Sequence, residues 1–344
     1  MININNRQLK KYLSGLLVII FIAACGGSDS DKKDLPVVND SPALKSYEKL
    51  DREDLDKTNF CPVNGAEHHK EFHIVYLLDT TMKLSKPEFA TINNLLLYDA
   101  NSPQSIEDFK RAIPPYTKVS IVNLDGQRLE ASETGTLFSM CRPRTGDGPY
   151  DADKLNELFE NSMLVKQDWK AFIQKFDTAK SKIAAKANGS FTQLFEMILE
   201  ISRMSQIGFS NVAQKPGQLA VKNWDQRKLI IASDLMHQVK GNQDARLNID
   251  LFDACYKEPN KKGTLVAKKT PKCPTWNQFY NSEKKNLLDS LKPQWGPNPP
   301  SVEILFLHRT SDPLLNMGLR EFWIDYLKWT GIKNIEFQYE SNKG

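Results

Sequence analysis

The stretch Phe72-His73-Ile74-Val75-Tyr76-Leu77-Leu78-Asp79-Thr80-Thr81-Met82-Lys83-Leu84-Ser85 decides the fold. Its apolar run, Ile74–Leu78, ends abruptly in a carboxylate and two threonines. So short a run is not an isolated helix. Bounded by polar residues, it reads as a strand, Phe72–Leu78, buried on both faces of a parallel sheet. Asp79 then stands at the carboxyl end of that strand, the edge at which open α/β sheets bind ligands. Ser85, with Glu88 three residues on, reads as the N-cap of a helix over Lys86–Tyr98.

Working outward, Ser105–Ala112 reads as a short helix stopped by Pro114-Pro115. Lys118–Leu124 and Thr136–Cys141 read as strands joined by a short polar link, hence a hairpin that puts an antiparallel strand on the sheet edge. Arg142–Asp153 is a Gly/Pro/Asp-rich loop whose Gly146-Asp147-Gly148 lacks the lysine and helix start of a phosphate loop. Lys154–Ala187 has a helical period, expected as a short piece and then a longer one centred on Trp169, Phe172, Ile173 and Phe176. Thr192–Met204 is expected as another helix. Lys228–Ser233 repeats the opening pattern, an apolar run ending in Asp234. Gln238–Pro300 reads as an insertion with little core signal, helical at Leu247–Phe252 and Trp276–Leu291, with a solvated basic loop at Lys257–Lys272. Ser301–Leu307 is a strand, Leu314–Trp329 an apolar helix capped by Gly331, and Ile335–Tyr339 a last strand. Strands alternating with helices predict an α/β domain: a doubly wound, mostly parallel sheet with helices on both faces and one antiparallel edge strand.

The N-terminus has a separate logic. Arg7, Lys10 and Lys11 precede the apolar stretch Leu16–Ile22, and Ala23-Ala24 lead to Cys25. Charge, length and small residues at the end make residues 1–24 a secretory signal too short to span a bilayer comfortably. Ile22-Ala23-Ala24-Cys25 resembles the bacterial lipobox, which implies acylation of Cys25, by palmitate among other chains, and a membrane anchor. Gly26 stands where such families place an inner-membrane retention aspartate, so the resemblance implies the outer membrane of a Gram-negative cell. Residues 25–58 are rich in Gly, Ser, Asp, Lys and Pro and read as a tether. Residues 59–344 are the folded domain, with the insertion at about 238–300. The net charge of +4 includes the three basic residues of the signal, so the mature chain is near neutral and offers no global case for nucleic acid.

Five cysteines are present, and setting Cys25 aside leaves Cys61, Cys141, Cys255 and Cys273. An even remainder in an exported chain suggests two disulfides. Cys255 and Cys273 flank one polar loop, which favours that pair and leaves Cys61 with Cys141. His68, His69 and His73 are close enough in sequence to suggest a metal, but read as exposed loop histidines leading into the first strand.

Asp79 and Asp234, each at a strand end, can converge at a switch point of the sheet, with Thr81, Ser190, Thr192 and Ser233 nearby. Carboxylates with hydroxyls make the hard-oxygen shell that Mg²⁺ or Ca²⁺ prefers. Here the chain resembles the von Willebrand factor A (vWA) family, in which an Asp-x-Ser-x-Ser motif, a loop threonine and a later aspartate form a metal-ion-dependent adhesion site. The matching residues are Asp79, Thr81, Thr192 and Asp234. Lys83 departs from the pattern: it occupies the place of the second hydroxyl, and an ammonium cannot ligate a cation. The departure favours a degenerate site in which Lys83 sits between the two acids in place of the metal, with Mg²⁺ or Ca²⁺ binding as the alternative. An envelope hydrolase using Ser233, Asp234 and His237 is the alternative, but no GxSxG elbow is present. A structural lipoprotein with a vestigial site is a third reading. The expectation is a membrane-anchored, non-enzymatic lipoprotein whose vWA-like domain binds another protein, in adhesion, envelope assembly or a secretion or conjugation apparatus.

Overall fold

The structure is a computed structural model. It describes residues 49–63, 72–80, 84–96, 103–124, 135–156, 158, 160–185, 192–203, 226–237, 250–259, 265–282, 284–296, 298–307 and 312–339. All of them belong to one compact unit, Asp40–Gly344. The signal, Cys25, most of the tether, Thr81, Lys83, His68, His69 and Ser190 lie outside the described residues.

In chain order the elements are β1 (Phe72–Asp79), α1 (Lys86–Leu95), α2 (Pro103–Ala112), β2 (Lys118–Leu124), β3 (Thr136–Cys141), α3 (Ser162–Ala185), α4 (Leu194–Arg203), β4 (Gln226–Ser233), α5 (Leu251–Tyr256), β5 (Lys257–Pro259), β6 (Leu265–Ala267), α6 (Trp276–Tyr280), α7 (Lys285–Ser290), β7 (Ser301–Phe306), α8 (Pro313–Trp329) and β8 (Ile335–Tyr339). Six strands form one sheet in the order β3-β2-β1-β4-β7-β8. Every pairing in it is parallel except β2 with β3. The expected mixed α/β architecture and its antiparallel edge strand are thus present.

The central position of β1 explains its unbroken apolar run. Val75 and Leu77 enter one core, whereas Ile74, Tyr76 and Leu78 enter the other. The first core is closed by Phe195 and Ile198 of α4 and by Phe322, Trp323 and Tyr326 of α8. Phe195 is its aromatic hub, stacked on Trp323 at 4.9 Å and edge-on to Tyr326 at 4.8 Å. The second core is closed by Ile92, Phe109, Phe172 and Phe176 of α1 to α3. Local signals agree with these placements. Ser85 and Glu88 make a reciprocal capping box at α1. Gly331 adopts φ +100° after α8. Its N–H and that of Ile332 bond the carbonyls of Lys328 and Leu327, a Schellman ending that a side chain at that φ would strain.

Six expectations need correction. The helical period at Lys154 starts no helix among the described residues before Ser162, because Asn161 caps α3 and the preceding chain is held by Arg144. Arg144 takes the carbonyls of Ala152 and Lys154 and both carboxylate oxygens of Glu160. The helix expected at Leu247–Phe252 is α5, starting after Asp250, whose side chain accepts from Asp253 N–H. The helix expected over Trp276–Leu291 is two helices, broken where Ser282 bonds back to the Phe279 carbonyl. The basic loop after α5 contains a β5–β6 hairpin, and Trp276, Phe279, Leu288 and Trp295 of the supposedly core-poor insertion enter the first core. His73, expected to be exposed, lies buried in β1 with Nε2 3.1 Å from the Ser120 hydroxyl.

Both favoured disulfides form. Cys61–Cys141 ties the N-terminal segment to the end of β3, and Cys255–Cys273 closes the insertion onto α5. Among the described residues no helix is long and apolar enough to cross a membrane.

Candidate functional site

The sheet order runs outward in both directions from the β1–β4 pair, so the crevice between their carboxyl ends is the switch point. β1 delivers Asp79 there, and β4 delivers Ser233 and then Asp234. In register, Leu78 lies beside Ala232, which brings Asp79 level with Ser233. The Ser233 hydroxyl donates to Asp79 Oδ2 at 2.7 Å and accepts the Leu235 N–H at 2.9 Å. Both groups are buried. A serine thus links Asp79 to the turn that carries Asp234.

The turn after β4 is fixed from several sides. Asp234 Oδ1 accepts the Met236 N–H at 3.0 Å. Leu235 is buried with φ +61°, a left-handed conformation that leucine rarely adopts. Its carbonyl accepts Trp323 Nε1 from α8 at 2.8 Å. The His237 carbonyl accepts the N–H groups of Leu251 and Phe252 at the start of α5. On the other side of Asp79, the Thr80 hydroxyl donates to Asn123 Oδ1 at 2.7 Å and ties the ends of β1 and β2 together.

Thr192 is buried just ahead of α4. One turn into that helix, Glu196 Oε2 lies 3.8 Å from His237 Nε2, so the start of α4 abuts the β4 turn and belongs to the same edge. His237 is buried with its ring centroid 4.6 Å from that of Phe195. A further carboxylate, Asp312, caps α8 on this edge by accepting the Leu314 N–H at 2.9 Å. Burial, with Asp312 and then Asp234, raises the pKa of the Tyr256 phenol. Leu314 and Met317, on the first turns of α8, are 64 % and 51 % exposed, so the acids are flanked by unburied apolar surface.

The donor set suits a hard cation in kind: carboxylates of Asp79 and Asp234 with the Thr192 hydroxyl. In this structure one oxygen of each carboxylate already accepts a protein hydrogen, from Ser233 and from Met236 N–H. Among the described residues no three His, Cys, Asp or Glu side chains gather to hold a metal. For hydrolase chemistry, Ser233 would have to give its proton to a histidine, whereas here the hydroxyl proton points to Asp79.

Several residues of this edge had no signal in the sequence. Glu196 reads as an ordinary first-turn acid. Asp312 has no pattern beyond standing ahead of an apolar helix. Thr80 stands beside Thr81 with no pattern of its own. Ser233 reads as a nucleophile, whereas its role as the link between two strands depends on register. No protein-family model and no curated protein matches the chain.

Proposed function

We propose that this chain is an exported, lipid-anchored protein whose vWA-like domain binds another protein through the rim formed by Asp79, Thr192, Asp234 and Asp312. The observation that carries the reading is the Ser233–Asp79 hydrogen bond at the switch point. It commits the one nucleophile candidate to holding the rim in shape. Export is supported by the cysteines: two disulfides take every cysteine except Cys25, the residue at the lipobox position. The vWA-like reading is supported by a parallel sheet with one antiparallel edge strand and acids at the ends of β1 and β4.

Binding at this rim does not depend on a bound cation. Hydrogen bonds from Ser233 and Met236 satisfy one oxygen of each acid, and the sequence puts Lys83 where the family has a ligand hydroxyl. Mg²⁺ or Ca²⁺, where bound, would be held by Asp79, Thr192 and Asp234 and would offer an open position to a partner carboxylate. Partner capture from envelope fractions, compared between the wild type and Asp234→Ala, tests the binding role. Selective loss of one captured protein, without hydrolytic activity in either form, is expected. Unchanged capture would leave the rim vestigial, and ester or peptide hydrolysis lost in Ser233→Ala would establish the enzyme. Calorimetry with Mg²⁺ tests the cation: no binding by the wild type and a gain in Lys83→Ser are expected.

A further inference from the structure

The described chain joins the folded body along α3. Lys49 pairs with Glu160 at 2.5 Å, Arg52 holds Asp168 through bonds of 2.9 and 3.0 Å, and Lys175 Nζ donates to the Thr58 carbonyl at 3.0 Å. The partners advance along α3 as the segment advances, so Lys49 lies at the N-terminal end of that helix. This end belongs to the amino edge of the sheet. Cys141 is opposite Lys118 at the start of β2, and the chain after it is tied to Glu160 by Arg144.

Two large apolar side chains face solvent at this pole: Leu158 is 85 % exposed and Met163 61 %. Met163, Lys166 and Lys170 fall at i, i+3 and i+7 of α3 and share a face, and both lysines are exposed. Among the described acids around the pole, Glu160 is matched by Arg144 and Lys49, Asp168 by Arg52 and Asp151 by Lys154, while Asp51, Glu53 and Asp54 flank Arg52 and are exposed. A single exposed leucine would need no explanation. Two exposed apolar tips and two exposed lysines, at the end of the body where residues 1–48 connect, have the chemistry of an interfacial contact. Apolar tips enter the boundary of the acyl chains and lysines meet anionic headgroups.

We propose that the pole formed by Leu158, Met163, Lys166 and Lys170 rests on a phospholipid bilayer containing anionic headgroups. The proposal rests on the lipid-anchored reading above. It turns the amino edge of the sheet toward the membrane and the rim with Asp79, Ser233 and Asp234 away from it, toward a partner.

The test uses the full chain reconstituted in vesicles of phosphatidylethanolamine and phosphatidylglycerol that carry a nitroxide-labelled lipid. An environment-sensitive fluorophore is placed on Leu158→Cys or, as the opposite-edge control, on Leu314→Cys. Quenching at least twofold stronger at 158 than at 314 is expected, and it should weaken when Lys166→Gln and Lys170→Gln are added. Equal quenching at the two positions overturns the proposal. Shielding at 158 that needs no vesicles and grows with protein concentration assigns the pole to a second copy and also overturns it. The mass of the Cys25 peptide from the same sample reads the anchor separately. If Cys25 is unmodified, the anchored reading fails. The surface is then judged by sedimentation of the unanchored chain with the same vesicles. At about fivefold per lysine, the double glutamine variant should bind about 25-fold more weakly. No binding of the wild type, or no effect of the variant, overturns the proposal.

Discussion

Replacing Ser233 by alanine separates a residue that shapes the rim from one that attacks a substrate. The hydroxyl is buried and used in two directions, toward Asp79 Oδ2 and from the Leu235 N–H. Losing a hydrogen bond to a carboxylate costs about 1.5–3 kcal/mol, and leaving a buried N–H without an acceptor costs about 1–3 kcal/mol. The two losses share one atom and are not fully additive, so about 3 kcal/mol is expected. At about 2 °C per kcal/mol for a large domain, the melting temperature should fall by about 6 °C. Urea unfolding with the disulfides intact measures the energy, and a cycle with Asp79→Asn assigns it. If the serine acts through Asp79, Ser233→Ala should cost about 1 kcal/mol less in the Asp79→Asn background, beyond the additivity expected of independent sites. A loss below about 0.5 kcal/mol, or strict additivity in the cycle, would refute the account of Ser233 as the link between the strands.

Other consequences concern the body that carries the rim. Arg142 and Asp153 form a fully buried pair at 2.9 and 3.0 Å, so Asp153→Ala should cost about 3–5 kcal/mol in chemical unfolding by leaving the guanidinium uncompensated. The Cys61–Cys141 bridge spans 80 residues and Cys255–Cys273 spans 18, so by chain entropy their removal should cost about 4.5 and about 3 kcal/mol respectively, an order that paired alanine variants would check. His73 is buried, and desolvation, with Lys118 and then Arg227, holds its pKa well below the ordinary value. The unfolded chain therefore takes up a proton below about pH 6.5 that the native state refuses. The stability this neutral imidazole contributes is present above that pH and is lost as pH falls. Between pH 7 and 5.5 the wild type should lose about 1 kcal/mol more than His73→Gln, as read by urea titrations at each pH.

The sequence was most informative where one residue decides one element. The double-sided burial of β1 is legible because both faces of a central strand must be apolar, and the ends of β2, β3 and β8 are legible because polar turns bound short runs. The disulfide partners were legible from position in the chain. The insertion was harder to read. Trp276, Phe279, Leu288 and Trp295 are scattered among polar residues, and their place in the core depends on distant partners: α8 offers Phe322 and Tyr326 to Trp276 and Phe322 to Phe279. The candidate site divides the same way. Asp79 and Asp234 stand out because an acid after an apolar run is a local pattern. The bond from Ser233, the approach of Glu196 to His237 and the presence of Asp312 depend on strand register and on which helix ends at which edge. Such information is spread over residues far apart in the chain.

The conformation of Leu235 shows how strongly the rim is determined by its surroundings. Among the described residues three non-glycine positions have left-handed backbones, Phe60, Tyr116 and Leu235, and all three are buried. Such a conformation costs about 1–3 kcal/mol and persists where neighbours over-determine it. Tyr116 is held by the Arg142 carbonyl and by the Leu50 N–H that its hydroxyl accepts, which fixes the N-terminal segment. Leu235 is held by the Ser233 hydroxyl on its N–H and by Trp323 on its carbonyl, which fixes the direction of Asp234. The strain has a signature in the order of two variants. Leu235→Ala and Leu235→Gly lose nearly the same apolar contacts, but only glycine takes φ +61° without a Cβ penalty. At an ordinary site glycine is the less stable of the two by about 0.5–1 kcal/mol. Here the order should invert, with Leu235→Gly the more stable by about 1 kcal/mol. Both variants should unfold more readily than the wild type, since each empties a fully buried site. If alanine proves the more stable, the turn after β4 relaxes freely, and Asp234 is not pre-set by the fold to face a partner.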